Sequence, residues 1–110
     1  MKRLTVLIAL VFASPVSAQN FPKFEGRFVI DAANVIPDDR EDALNKKLID
    51  YQKSTTNEIA VVTVPSLEGY DIESYANTYF RKLGIGNRER NNGVLFLIAP
   101  TEHQMRIEVG

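Results

Sequence analysis

The stretch NNGVLFLIAP, from Asn91 to Pro100, decides the fold of this chain. Val94 to Ala99 is a continuous apolar run that follows two amides and a glycine. A second run, EIAVVTV at Glu58 to Val64, is rich in β-branched residues and closes at Pro65. Short apolar runs bounded by turn residues are typical of strands that are buried on both faces, as in the centre of a parallel sheet.

A helix is predicted between these two strands. Asp71 is placed to cap its start and Gly84 to end it in the left-handed conformation. A strand–helix–strand unit of this length predicts a parallel pair with a right-handed connection. The apolar positions of this helix recur at helical spacing: Ile72, Tyr75, Ala76, Tyr79, Phe80 and Leu83. Three aromatic residues at such spacing are typical of a core face rather than of a ligand site.

Three further elements flank this unit. RFVI at Arg27 to Ile30 predicts a short strand, and Asp38, after Pro37, is expected to cap a first amphipathic helix that ends near Ser54 to Asn57. MRIEV at Met105 to Val109 alternates apolar and polar residues, which predicts an antiparallel strand with one face in water. The predicted fold class is α/β: a layered α/β sandwich in which helices pack on a small mixed sheet.

The first 18 residues have the pattern of a secretory signal peptide. Lys2 and Arg3 precede an apolar run from Leu4 to Ala13, and Val16-Ser17-Ala18 provides small residues for cleavage. We predict cleavage after Ala18 and a periplasmic or secreted protein. The alternative is an uncleaved anchor, but the run is shorter than the roughly 20 residues that span a bilayer. Residues 19–27 are predicted to be an irregular lead-in and residues 28–110 the folded domain.

Composition excludes several classes of function. The chain has no cysteine and one histidine, His103, which excludes thiolate nucleophiles, disulfides and multi-histidine metal sites. Removal of Lys2 and Arg3 with the signal peptide leaves 11 basic and 14 acidic side chains, a net charge of −3. Nucleic acid is therefore not an expected partner, because such binding needs an excess of positive charge.

Oxygen ligands are the chemistry that remains. No G-x-S-x-G elbow or phosphate-binding loop occurs in the sequence. Asp31, Asn91 and Asn92 are candidate ligands for calcium or magnesium, which prefer carboxylate and amide oxygens. The alternative is that such residues only cap helices and form turns, with Gly93 letting the chain turn into its strand. Asn91 and Asn92 precede their strand whereas Glu68 follows the other long strand, so Asp31 is the only partner expected for the two amides.

Three stretches together resemble the TPM domain family: VIDAANVIPD, TTNEIAVVTVPSLEGYDIESYANTYF and GIGNRERNNGVLFLIAPTEHQMRIEVG. The resemblance implies an α/β sandwich outside the cytoplasm, binding of a divalent cation and, for some members, acid phosphatase activity. Asp31 and the Asn91–Gly93 run match recurrent polar positions of the family. Family members continue beyond the RIEVG stretch, so we expect a C-terminally truncated domain, with any membrane anchor only in a part beyond Gly110.

Two functions, and a third arrangement, follow as expectations. The first is an exported module that binds an unidentified envelope protein or has a structural role, with calcium or magnesium as its ion and no organic cofactor. The alternative is a metal-assisted acid phosphatase acting on phosphomonoesters. A third interpretation is a half-domain that another chain completes at its sheet edge. No catalytic residue is assigned from the sequence.

Overall fold

The computed structural model describes residues 21–86 and 91–110, so the signal peptide predicted for residues 1–18 lies outside the described part of the chain. No helix in that described part is long and apolar enough to cross a membrane. The elements in chain order are β1 (Val29–Asp31), α1 (Asp38–Thr55), β2 (Glu58–Thr63), α2 (Ile72–Leu83), β3 (Gly93–Ala99) and β4 (Gln104–Val109).

The four strands form one mixed sheet in the order β1-β2-β3-β4. β1 pairs with β2, and β2 with β3, in parallel, whereas β4 runs antiparallel to β3. The parallel β2–β3 pair with α2 as its connection confirms the unit predicted from the two apolar runs. The α/β fold class with helices on a small mixed sheet is also confirmed.

The two helices begin differently. The Asp71 side chain accepts a hydrogen bond from the Ser74 backbone N–H at 2.9 Å, and Gly84 ends α2 with φ of 66°, both as predicted. The prediction that Asp38 caps α1 is wrong: Pro37 is the cap residue, without a side-chain bond, and Asp38 is the first helical residue. The ring of Pro37 favours the extended conformation found there, and Asp38 instead places its charge near the positive end of the helix.

Each face of the sheet carries a different helix. α2 packs on one face, where Tyr75, Ala76 and Tyr79 join a buried cluster with apolar residues of β2 and β3. α1 packs on the other face and contacts β1 and β2. Leu48 of α1 is buried there with Phe28 and Val29.

The lead-in before β1 has no regular structure from Phe21 to Arg27, yet it is packed against α2. The Phe21 ring stacks on Tyr79 with centroids 5.2 Å apart and meets the edge of Tyr75 at 4.9 Å. The Tyr79 hydroxyl donates to the Pro22 carbonyl at 2.8 Å. Phe21 therefore extends the α2 core beyond the residues that helical periodicity identified.

Phe21→Ala is expected to lower the free energy of unfolding by about 1–2 kcal/mol, because it removes two aromatic contacts and part of a half-buried ring. Urea denaturation of the variant and the wild type gives the difference. Val35→Ala is the control, since Val35 is 54% exposed. A Phe21→Ala variant no less stable than that control would show that the lead-in does not belong to the folded unit.

Candidate functional site

Asp31 lies at the carboxyl end of β1, where its carboxylate organises the following turn. Oδ1 accepts a hydrogen bond from the Thr63 hydroxyl at 2.6 Å and one from the Val35 N–H at 3.0 Å. Oδ2 accepts from the Ile36 N–H at 2.8 Å. The Thr63 hydroxyl in turn accepts from the Ala33 N–H at 3.0 Å. Asp31 and Thr63 thus tie the turn after β1 to the end of β2.

The electrostatics of Asp31 follow from these contacts. Partial burial alone would raise its pKa, but the hydrogen bonds from Thr63 and the backbone N–H groups of the turn lower the pKa below its ordinary value. Asp31 is therefore a carboxylate at neutral pH, and three of its lone-pair positions already accept hydrogen bonds.

The NNG run that precedes β3 has three distinct structural roles. Asn91 adopts the left-handed conformation, with φ of 50°. The Asn92 amide donates to the Thr56 carbonyl at 2.8 Å, and the Asn92 carbonyl accepts from the Glu58 N–H at 3.0 Å. Gly93 is the first residue of β3 and has no positive φ. Glycine is needed here because the backbone of Ile85 lies close by, and a Cβ on residue 93 would lie 2.7 Å from the Ile85 carbonyl oxygen. The expected role in a turn is not the reason for it.

Asp31 and the two asparagines lie at opposite edges of the sheet. Asp31 pairs with Thr63 at one end of β2, whereas Gly93 pairs with Glu58 at the other end. Five residues of strand separate these levels, a length of about 17 Å. Among the residues that the structure describes, no group of three or more acidic or histidine side chains could hold a metal ion. Asp31 therefore does not share a pocket with Asn91 and Asn92.

Asn92→Ala is expected to cost about 1 kcal/mol of stability, because it leaves the Thr56 carbonyl without its amide donor. Asn91→Gly is the matched change, and it should be neutral within about 0.5 kcal/mol, since glycine adopts a positive φ freely. Thermal melts of both variants with and without calcium measure the effects. A calcium-dependent rise in melting temperature that Asn92→Ala abolishes would contradict a purely structural role for this amide.

Two residues at the carboxyl edge were not identified from the sequence. Thr63 is buried, and its role depends on pairing with Asp31 from a strand 32 residues earlier. Glu102 follows β3, and its Oε2 accepts from the Leu67 N–H at 2.8 Å while Oε1 is buried without a hydrogen-bond partner. The expectation that ligands bind beyond the carboxyl ends of parallel strands would have directed attention to Glu102.

One face of β3 and β4 carries neighbouring apolar side chains that are exposed in the described chain, and this face is here called the apolar strip. Val94, Phe96 and Ile98 of β3 are half-buried and pair with Val109, Ile107 and Met105 of β4 in turn. The three β4 side chains are 63%, 52% and 59% exposed, in the same order. Within residues 21–86 and 91–110 no helix packs over these six side chains, since α1 contacts β1 and β2 of that face.

The open face of β4 reverses the usual pattern of an alternating strand. Its apolar residues are exposed, whereas Arg106 and Glu108 point toward α2 and are less exposed. Glu108 accepts from the Asn77 amide at 3.1 Å, and Arg106 donates to Glu108 at 3.3 Å. The register with β3 imposes this arrangement, because the β3 partners of these charged residues face the α2 core and cross-strand partners share a face. β4 therefore has one face in water, as predicted, and that face is the apolar one.

In residues 21–86 and 91–110 these features define a small α/β domain with a mixed sheet, one helix on each face and an open apolar strip. The family model for the TPM domain matches residues 29–110, so the chain belongs to the TPM domain family. No curated protein matches the chain.

Two solved structures share the fold. One is the N-terminal domain of a protein from P. gingivalis, 32% identical with a TM-score of 0.69, for which the match covers 76% of this chain and 54% of that one. The other is the N-terminal domain of a Corynebacterium glutamicum protein, 25% identical with a TM-score of 0.65, covering 84% of this chain and 60% of that one. The chain thus spans little more than half the length of these two matched chains.

Proposed function

We propose that this TPM domain is an exported binding module that docks a partner protein at the cell envelope through its apolar strip. The exposure of Met105, Ile107 and Val109 within residues 21–86 and 91–110 carries the proposal, since these side chains are 52–63% exposed there on a continuous sheet face. A contiguous apolar face of this kind is typical of an interaction site, because soluble proteins otherwise keep such faces small. Export is proposed on the signal-like residues 1–18.

The dimensions of the strip indicate which kind of partner element could cover it. It is two strands wide and six residues long, or about 10 Å by 20 Å. Its six side chains are all apolar, so the partner surface must itself be apolar. A helix of about four turns has this width and length, and α1 already packs on β1 and β2 of the same face. An amphipathic helix is therefore the partner element that the strip fits best.

Affinity capture from an envelope fraction tests this function. The double variant Met105→Ser/Ile107→Ser should lose the specific partner that the wild type retains, because it removes two of the most exposed side chains of the strip. Val35→Ser is the matched control, since Val35 is 54% exposed but lies outside the strip. Equal recovery of the same protein by all three forms would contradict docking at the strip.

The alternative function is a metal-assisted acid phosphatase acting on phosphomonoesters. One observation favours it: a cavity of about 170 Å³ beside Asp31 is lined by Lys23 and Arg27, whose charges suit a phosphate group, although Glu25 and Glu41 line it too. Against it, the Arg27 guanidinium already contacts Asp42 at 3.1 Å, and the Asp31 carboxylate accepts three hydrogen bonds.

Hydrolysis of p-nitrophenyl phosphate with added magnesium or calcium separates the two functions. The binding module should show no turnover above a buffer blank. The alternative requires metal-dependent turnover that Asp31→Asn and Lys23→Ala both reduce at least tenfold. A calcium-dependent rise in melting temperature that only Asp31→Asn removes would locate the cation at the carboxyl edge of the sheet.

A further inference from the structure

The hydrogen-bond pattern of β4 determines which of its backbone groups face outward. The Gly93 N–H donates to the Gly110 carbonyl at 3.3 Å, and the Gly110 N–H donates to the Gly93 carbonyl at 3.1 Å. Such doubly bonded pairs alternate with non-bonded pairs along antiparallel strands, so the even-numbered residues of β4 bond to β3. β4 is an outer strand of the sheet that residues 21–86 and 91–110 form. The N–H and C=O groups of Met105, Ile107 and Val109 therefore point away from β3.

This edge has few of the features that prevent a strand from pairing with another chain. β4 pairs with β3 residue for residue from Gln104 to Val109, without a bulge. It contains no proline, and its outward residues carry apolar side chains that are more than half exposed. Edge strands that avoid association usually have a bulge, a proline or charged side chains. The two charges of β4, Arg106 and Glu108, have opposite signs.

We propose that β4 pairs antiparallel with β4 of a second copy of this chain, with the two-fold axis at Ile107. In this register Ile107 faces Ile107 of the second copy, and Met105 faces Val109. Each of these outward residues exchanges both backbone hydrogen bonds with its opposite, as in any antiparallel pair of this type. The two four-stranded sheets become one sheet of eight strands.

The charges select this register over its neighbours. With the axis at Ile107, Arg106 lies opposite Glu108 of the second copy, on the same face of the sheet. Moving the axis to Arg106 would place the two Arg106 side chains opposite each other, and moving it to Glu108 would pair the two carboxylates. Like charges directly opposite destabilise a strand pair, so the self-complementary register is favoured.

The neighbouring elements are compatible with this pairing. α2 packs on one face of the sheet, with its buried side chains among residues of β2 and β3 and its Asn77 flank in contact with β4, so it lies above the sheet rather than beside the outward N–H and C=O groups of β4. α1 lies over β1 and β2, on the far side of the sheet from that edge. Edge pairing leaves the apolar strip open and joins the strips of two copies into one surface. The dimer does not depend on the proposed docking function.

Cysteine cross-linking tests the register, because the chain has no native cysteine. Ile107→Cys should form an intermolecular disulfide under mild oxidation, since opposite Cα atoms in a hydrogen-bonded pair are about 5.5 Å apart, within disulfide range. Val35→Cys is the matched control, with 54% exposure against 52% for Ile107. Equal rates of disulfide formation by the two variants would overturn the proposed register.

Charge reversal tests the association itself by sedimentation analysis. Arg106→Glu should weaken self-association at least tenfold while the thermal melt remains cooperative, and Glu108→Arg should act alike. Mixing the two variants should restore a dimer, because every opposing pair then has opposite charges, whereas each variant alone keeps its own like charges. A wild type that stays monomeric at all concentrations, or a mixture that stays monomeric when the wild type dimerises, would overturn the proposal. If Glu108→Arg does not fold, Arg106→Glu and the cysteine pair still decide it.

Discussion

Gly86→Ala is expected to lower the free energy of unfolding by about 3 kcal/mol or more, because alanine would have to adopt a left-handed conformation and its Cβ would overlap neighbouring backbone atoms. Gly86 has φ of +82°, and a Cβ there would lie 2.5 Å from the backbone nitrogen of Gly93 and 2.7 Å from its Cα. Neither atom can move without shifting the start of β3. Urea denaturation measures the loss, and a change in the unfolding midpoint without a change in slope would attribute it to stability.

Gly69→Ala separates these two penalties. Gly69 has φ of +84°, nearly the same as Gly86, but a Cβ there would meet no atom within 4 Å. Its substitution should cost only about 1–2 kcal/mol, the cost of a left-handed conformation for alanine. If the two variants were equally destabilised, the close approach of residues 85–86 to the start of β3 would not constrain the fold.

Asp31→Ala is expected to cost about 2–3 kcal/mol at neutral pH, because it removes the acceptor of three hydrogen bonds. Asp31→Asn should cost less, since its amide oxygen can still accept from the Thr63 hydroxyl or one backbone N–H. Both changes should act mainly on the turn after β1, whose N–H groups of Val35 and Ile36 bond to Asp31. Hydrogen exchange at these two amides measures the local effect.

The difference in stability between the wild type and Asp31→Asn depends on pH with a defined sign. The folded pKa of Asp31 lies below its unfolded value, so the carboxylate stabilises the fold fully above the unfolded pKa, about 3.9. That stability is lost as pH falls through the folded pKa. The difference between wild type and Asp31→Asn should therefore be constant from neutral pH down to about 5 and shrink below about 4. A difference that grew on acidification would contradict the hydrogen-bonded carboxylate.

Sequence periodicity is sufficient to predict the helices and strands but not the contacts between them. The apolar runs of β2 and β3 and the spacing of α2 predict a parallel pair with a crossover, as found. Asp71 and Gly84 could be assigned because helix caps depend only on neighbouring residues. Thr63 could not, since its partner Asp31 lies on another strand. Gly93 was interpreted as a turn residue because close backbone approach leaves no trace in a single sequence.

The orientation of β4 was the least predictable feature. Alternation in MRIEV indicates a strand with two different faces, but it does not say which face meets water. The polar residues would ordinarily be assigned to solvent. Pairing with β3 decides otherwise, because Leu95 and Leu97 are buried against α2 and bring Glu108 and Arg106 to that same face. The apolar strip is a consequence of register, which is a tertiary property.

Site-specific photo-cross-linking in living cells tests the docking strip most directly. Benzoylphenylalanine in place of Phe96, at the centre of the strip, should yield one discrete adduct with another envelope protein, and Met105→Ser/Ile107→Ser should remove it. The same probe in place of Tyr51, an aromatic residue of α1 that is 39% exposed, should yield none. An adduct with the chain itself that Arg106→Glu removes would report the β4 pairing separately. Absence of any heterologous adduct at Phe96, or an equal one at Tyr51, would contradict the strip as the binding surface.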